Sequence, residues 1–192
     1  MTIFPARVAL TAVAGVVLPV LLLAGCASDG APDATASSDA IRAVPEDLCD
    51  RVDYALATSA FDGGPMPIPP ADDDRGPNFR CHKGFFEGDE FRGGFVFLKV
   101  QSFGGAGEAR TGFERSATVT SAEPFEGGSE IVADAVRYQQ LRDDVRIEIL
   151  DANVIMEVRL AVVSAVSDEQ AAAMRPTAVR LAVHALDLIR AG

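Results

Sequence analysis

The residues with the most distinctive chemistry in this sequence are its three cysteines, Cys26, Cys49 and Cys81. Cys26 ends the stretch Leu23-Ala24-Gly25-Cys26, which closes an apolar run that begins near Val8. Small residues directly before a cysteine allow a peptidase pocket to accept the backbone, and the thiol can be acylated before cleavage exposes its amine. The stretch is therefore interpreted as a lipoprotein processing site, with the lipid attached to Cys26.

The segment before Cys26 has the profile of a secretory signal peptide. It carries one positive charge, Arg7, followed by an apolar core that is interrupted by Gly15 and Pro19. An uncleaved membrane anchor is the alternative, and it needs roughly 17 to 25 apolar residues. The run is at the short end of that range, and polar residues follow it at once. Cleavage is therefore favoured over an anchor or unlipidated secretion, and residues 1–25 are predicted to be a leader peptide.

The residues that follow predict a flexible, lipidated tether over residues 26–44. This segment is built mainly of Ala, Ser, Asp, Pro and Gly, with too few apolar side chains to offset the entropy of ordering. Since Arg7 is the only charged residue of the leader, cleavage changes the net charge from −11 to −12. An acidic domain is repelled by nucleic acid and by anionic lipid. The membrane is thus expected as a partner only through the N-terminal lipid, and nucleic acid is not expected.

Cys49 and Cys81 remain as an even pair. Outside the cytoplasm such a pair is expected to oxidise, and closing a loop of about 30 residues would contribute roughly 3 to 4 kcal/mol. A reactive thiol next to His82 is the competing interpretation, which export disfavours. His82 and the acidic residues 72–74 lack the spacing of a calcium loop. No metal or other cofactor is predicted.

Residues 45–192 have the length of one domain with its own core. Hydrophobic periodicity predicts three helices, at residues 45–59, 108–118 and 167–191, the last one opened by a capping box and broken or restarted by Pro176. It also predicts five strands, at residues 79–86, 95–103, 133–141, 145–149 and 154–162. The Pro-rich residues 61–78 are expected to form a loop. These elements predict an α+β fold, with a single antiparallel sheet of about five strands and N-terminal, middle and C-terminal helices packed on it.

The last two strands allow the register of a hairpin to be predicted. If Ile149 lies opposite Val154, Arg146 faces Glu157 and opposite charges pair. A shift of two residues would set Glu148 against Glu157 instead. The first register is therefore expected, with a tight turn between the strands.

Several features together resemble small actinobacterial cell-envelope lipoproteins. They are the processing site, the acidic tether, Glu46-Asp47-Leu48-Cys49 on a first helix, Cys81 on a first strand, a Val-rich hairpin and a C-terminal Ala/Leu-rich helix. Such proteins include domains of unknown function whose layout is similar to the extracellular sensor domain of mycobacterial Ser/Thr kinases. The resemblance covers about Cys26 to Gly192 and carries over no functional residues. It implies a non-enzymatic binding or sensing role outside the membrane.

The phenylalanine-rich part of the chain is the candidate ligand surface, since seven phenylalanines fall between Phe79 and Phe103. Phe79 and Phe85 are expected to fill the core. A site between the sheet and the 61–78 loop would present mainly apolar and aromatic side chains. Its predicted residues are Met66, Ile68, His82, Phe86 and Phe91.

The function predicted from these features is a non-enzymatic binding or sensing module, lipid-anchored at the extracytoplasmic face of the cell membrane. Its ligand would be a small amphiphile or another envelope protein. An assembly factor or inhibitor of an envelope protein is one alternative. A small hydrolase is another, but no nucleophile, base and orienting group converge in the sequence, so no enzyme is predicted.

Overall fold

The computed structural model of the protein describes most of the predicted domain. The described residues are 40–61, 64–66, 78–86, 93–120, 123–124, 130–163 and 166–192. Cys26, Ile68 and Phe91 lie outside them, as do the predicted leader and all but the last part of the tether. Within the described part of the chain, no helix combines the length and apolar character needed to cross a bilayer.

One antiparallel sheet of seven strands organises the fold. Its strands are β1 (Gly64–Met66), β2 (Asn78–Phe86), β3 (Gly93–Ser102), β4 (Glu123–Pro124), β5 (Ala135–Gln140), β6 (Asp144–Asp151) and β7 (Val154–Val162). They lie in the order β1-β2-β3-β7-β6-β5-β4. The predicted α+β class and the five predicted strands are confirmed, and two short edge strands complete the sheet. β1 falls within the predicted loop, where its Pro65 is tolerated because an edge strand pairs on one side only.

The N-terminal helical region is broken, so the prediction of a single helix over residues 45–59 is wrong. Helix α1 (Leu48–Arg51) is followed by a 3₁₀ helix (Tyr54–Ala60). The break lies at Asp53, whose side chain accepts a hydrogen bond from the Ala55 N–H at 3.0 Å. The Asp53 N–H donates to Nε2 of His184 at 3.1 Å. A cap and a contact with the C-terminal helix thus replace the helical hydrogen bonds at this point.

Helix α2 (Ala106–Thr120) is the predicted middle helix, and α3 (Asp168–Ala191) is the predicted C-terminal one. The capping box at the start of α3 is confirmed, because the Ser167 and Gln170 side chains each accept a hydrogen bond from the other's backbone N–H. The predicted break at Pro176 is wrong, since α3 continues through it. Pro176 and Ala172, whose carbonyl loses its helical partner, are both exposed, so water can replace the missing bond.

The core lies between α3 and one face of the sheet. The central strands contribute alternate aliphatic side chains, including Leu98 of β3 and Val158 of β7, and α3 contributes Leu181 and Ile189. Phe85 is fully buried. Its ring stacks on Phe61 with ring centroids 4.8 Å apart, and Phe79 packs on the same core, half-buried. The rings of Phe79 and Phe85 therefore fill the core, as predicted.

The predicted disulfide is present and joins Cys49 of α1 to Cys81 of β2. The two residues are 32 positions apart in the sequence. On the chain-entropy model, closing a loop of this size contributes about 3 to 4 kcal/mol to stability. The bond fixes the short α1 against the sheet, where a helix of one turn could not hold its own position.

The hairpin of β6 and β7 has a register that differs from the prediction by two residues. The strands join through a two-residue turn, Ala152-Asn153, with Asp151 opposite Val154. Ile149 consequently lies opposite Met156 rather than Val154. Ala152 adopts a φ of 54°, in the left-handed region.

Charge pairing in this hairpin is diagonal, which is why the expected register is wrong. Arg146 lies opposite Arg159, and Glu148 lies opposite Glu157. Nε of Arg146 nevertheless lies 3.2 Å from the carboxylate of Glu157, and Arg159 forms an ion pair with Asp144. Long side chains reach diagonal neighbours in a twisted sheet, so opposite charges meet without facing each other directly.

Asp151 forms a buried clamp that joins three distant parts of the chain. Its side chain is 1% exposed. It accepts hydrogen bonds from Arg190 of α3, at 2.6 and 3.2 Å, and from Nε of Arg42 at 3.2 Å. The Asn153 amide adds bonds to the Arg42 backbone and to the Phe103 carbonyl. The point at which the chain enters the domain is thereby fixed to the hairpin turn and to the end of α3.

The clamp can be tested with Asp151→Asn. We expect the free energy of unfolding to fall by about 2 to 4 kcal/mol, because two half-buried guanidinium groups lose their counter-charge. Urea denaturation followed by circular dichroism measures this change. In the control Asp47→Asn, the substitution removes an exposed i,i+4 pair with Arg51 and should alter stability by at most about 0.5 kcal/mol. Equal stabilities of the two variants would show that the clamp does not hold the fold.

Candidate functional site

The described residues cover the face of the sheet opposite α3 only in part. Helix α2 rests on it through Ala109 and Phe113, which pack against Leu150 of β6 and Ile155 of β7. This contact is a small second core. Beside it, between α2 and strands β3 and β7, a cleft of about 420 Å³ remains. Small-molecule sites commonly have volumes of roughly 300 to 1,000 Å³, so this cleft is large enough for a ligand.

The cleft is charged at one end and apolar at the other. Lys99, Gln101 and Phe103 line it from β3 and the residue beyond it, and alternation along a strand points the three side chains to the same face. In β7, Glu157 lies opposite Lys99 and Ile155 lies opposite Gln101. Four residues of extended chain separate Lys99 from Phe103 by about 13 Å. The cleft thus offers a graded surface for a ligand with one polar and one apolar end.

Gly112 keeps the apolar end open. A Cβ at this position of α2 would lie 3.1 Å from Cζ of Phe103 and 3.2 Å from Cδ1 of Ile155. Both distances are tighter than ordinary van der Waals contacts. A glycine inside a helix costs about 1 kcal/mol relative to alanine. The absent side chain leaves α2 close to the sheet without closing the space between them.

Glu148 forms the inner wall of the charged end, with only 8% of its surface exposed. Oγ of Ser116 lies 2.7 and 2.8 Å from its two carboxylate oxygens, and Nη1 of Arg137 lies 3.5 Å from Oε2. The Arg137 guanidinium also stacks over the Phe113 ring, 3.7 Å from its centroid. Burial raises the pKa of Glu148 above its ordinary value, and the hydrogen bond from Ser116 and the charge of Arg137 offset this only in part.

The other charged residues of the cleft have different partners. Glu157 is neutralised by Arg146. Arg115 of α2 also lines the cleft. Lys99 is half-buried, and among the described residues no carboxylate lies within ion-pair distance of its Nζ. The cleft therefore holds a cation whose charge is not balanced by a described neighbour.

His82, a predicted ligand residue, lies on the same side of the sheet but outside the cleft lining. It is exposed, and its ring stacks on Phe97 with centroids 4.2 Å apart and lies 5.2 Å from that of Phe95. Phe97 precedes Lys99 by two residues in β3. The described residues contain no group of three or more His, Cys, Asp or Glu side chains placed to hold a metal ion.

The rest of the predicted ligand surface is brought together only in part. Met66 pairs with Gly84 at the β1 edge, and Phe86 pairs with both Gly64 and Gly93. His82 lies in the middle of β2, where it pairs with Phe97. With Ile68 and Phe91 outside the described residues, the predicted surface stays a prediction.

The cleft itself was not predicted, although part of its signal is present in the sequence. The alternation in β3 separates Val96, Leu98 and Val100 from the opposite set, which includes Lys99. A glycine in the middle of an amphipathic helix, here Gly112, also indicates close approach of another element. Neither signal tells which strands α2 crosses, because that depends on the nonlocal pairing of β3 with β7.

Comparisons of the chain with protein-family models, with curated proteins and with solved structures found no match. The cleft supplies a volume, a polarity gradient and a set of charges that a ligand would have to fit.

The environment of Glu148 predicts a pH-dependent effect of Glu148→Gln. Because the folded-state pKa is raised, the stability contributed by the neutral carboxyl group is fully present below its ordinary pKa of 4.5 and is lost as the pH rises through the folded-state value. Glutamine stays neutral throughout. We therefore expect the stability of the variant relative to the native protein to increase from below pH 4.5 to neutral pH.

Urea denaturation of both proteins across this pH range measures the difference. A stability difference that does not change with pH would contradict the raised pKa. A change in the opposite direction would indicate that Ser116 and Arg137 stabilise the carboxylate more than burial destabilises it.

Proposed function

We propose that this protein is a non-enzymatic binding module, anchored by lipid to the extracytoplasmic face of the cell membrane, and that it binds a small amphiphilic ligand in the α2 cleft. The observation that carries the binding proposal is the cleft of about 420 Å³ with a charged and an apolar end. Residues of strands β3, β6 and β7 form its floor.

The location is supported by two independent features of the chain. The stretch Leu23-Ala24-Gly25-Cys26 has the pattern of a lipoprotein processing site. The Cys49–Cys81 disulfide is of a kind that forms and persists mainly in oxidising compartments. A lipid on Cys26 would keep the domain at the membrane surface, with the tether ending at the clamp around Asp151.

Binding is favoured over catalysis by the residues that line the cleft. Among the described lining residues the only hydroxyl group is that of Ser116, which is hydrogen-bonded to Glu148. Neither His nor Cys is among these residues. Glu148, the carboxylate next to Ser116, is itself held by Arg137, so the preference for binding rests on the residue types of the described lining, which lacks the His or Cys that most often acts as base or nucleophile.

The anchoring proposal predicts the form in which the protein accumulates. Expressed as the full chain in a bacterium with lipoprotein-processing enzymes, it should be recovered in the membrane fraction. Its intact mass should match a chain that begins at Cys26 and carries acyl groups. The variant Cys26→Ser should lack the lipid. A native protein that retains Met1, carries no lipid and remains in the cytosol would overturn this part of the proposal.

The binding proposal predicts that the mature protein copurifies with a small amphiphile, which solvent extraction and mass spectrometry can identify. Gly112→Leu should abolish this binding, because the side chain would fill the apolar end next to Phe103 and Ile155. Gly107→Leu is the matched control. It places the same substitution on α2 where a Cβ meets nothing within 4 Å, and it should retain the ligand.

Thermal melting would check that both variants fold, with Gly112→Ala as a milder replacement if the leucine variant does not. A native protein free of any extractable ligand would contradict the cleft as a binding site. Stoichiometric copurification of an envelope protein in its place would favour the alternative function of assembly factor or inhibitor.

A further inference from the structure

The charges around the cleft favour one kind of head group. Two carboxylates, Glu148 and Glu157, and two cations, Lys99 and Arg115, line it. Two more cations, Arg137 and Arg146, contact these carboxylates from behind. Each carboxylate thus has a cation close to it, and Lys99 remains as a lining cation that forms no ion pair with a described carboxylate.

The two carboxylates are already engaged, whereas one cation is not. Glu148 lies within hydrogen-bond distance of Ser116 and near Arg137, and Glu157 pairs with Arg146. A cationic ligand would have to compete with these intramolecular partners. An anion that binds Lys99 would not have to displace an ion pair formed with a described residue. It would also supply a counter-charge for the half-buried ammonium group of Lys99.

The position of Lys99 also determines the orientation of a ligand. Its charge lies at one end of the row Lys99, Gln101 and Phe103, about 13 Å from the aromatic end. A ligand whose head meets Lys99 can therefore lay an apolar chain along β3 towards Phe103 and Ile155. Burial of apolar surface there would add to the affinity.

Building on the proposed binding function, we infer that the ligand of the cleft is an amphiphile with an anionic head group, a carboxylate or phosphate, that binds Lys99 while its apolar chain packs against Phe103 and Ile155. The head group supplies specificity through a charge-assisted hydrogen bond. The apolar chain supplies most of the affinity. Free fatty acids and the phosphorylated head groups of lipids share this chemistry.

The sequence offers a direct spectroscopic test, because Lys83 and Lys99 are its only lysines. Reductive methylation with ¹³C-formaldehyde labels both lysine amines, together with the α-amine of Cys26 where it is not acylated, and keeps their positive charge. Lys83 is an internal control, since its Nζ lies 5.6 Å from the centroid of the Tyr54 ring and it does not line the cleft. The full-length mature protein would be studied in nanodiscs of zwitterionic lipid. The probes are octanoate, octylammonium and octanol, which share one chain and differ in charge.

Octanoate is expected to shift the Lys99 signal and leave that of Lys83 in place. Calorimetry should show that it binds roughly tenfold or more tightly than octanol, since a hydrogen bond to a charged group contributes about 1.5 to 3 kcal/mol. Lys99→Met should remove this preference, because the apolar stem remains and the charge is lost. Lys83→Met should preserve it.

The outcomes separate this inference from the proposed function. Equal or tighter binding of octylammonium or octanol, with the Lys99 signal shifted, would overturn the anionic head group and leave the cleft as the site. An octanoate preference that persists in Lys99→Met would overturn the role of Lys99. Failure of all three probes to bind would overturn the inference and the cleft together. Octanoate and inorganic phosphate, compared at the same Lys99 signal, distinguish carboxylate from phosphate recognition.

Discussion

Burial of one face of β3, β7 and β6 under α3 determines where the other side chains of these strands lie. Alternation along a strand has a period of two, so each aliphatic residue that packs on α3 leaves its neighbour on the opposite face. The charged and polar residues of the cleft lie there for this reason. A register shift of two residues leaves each side chain on the same face of the sheet, but it changes the residue that lies opposite on the paired strand. In the predicted register Arg146 would stand opposite Glu157, and in the observed one Glu148 stands there and forms the wall of the cleft.

The N-terminal part of the domain packs on the core, and two ties, one covalent and one ionic, hold it there in addition. Helix α1 has only four residues, too few to be stable alone, and the Cys49–Cys81 bond holds it to β2. The segment before it is held by Arg42 at Asp151 and Asn153. A tether attached to lipid would pull on the chain at this point. The clamp would pass such a load to the hairpin turn and to the end of α3.

Local patterns in the sequence predicted the parts of the fold that local physics controls. The strand alternation, the Ser167 capping box and the oxidised cysteine pair were all predicted. The break at Asp53 was not, because its N–H bonds to His184, which is 131 residues away. The ion pairs between diagonal residues were not predicted either, because the register of the hairpin was chosen by comparing only residues that lie directly opposite each other. The cleft required the position of α2 over β3 and β7, and no periodicity within α2 specifies that position.

The acidic character of the chain and the inferred anionic ligand are compatible because the two charges act over different distances. At physiological ionic strength the Debye length is about 8 Å, so the net charge of −11 acts weakly on a ligand until it is close. Within the cleft the nearest charges dominate, and there the unbalanced cation is Lys99. The general acidity would repel anionic bilayer surfaces and polyanions, which are too large to enter. A small amphiphile that reaches the cleft would meet the local positive charge and the apolar wall together, so selection would rest on size and on the arrangement of charge rather than on net charge.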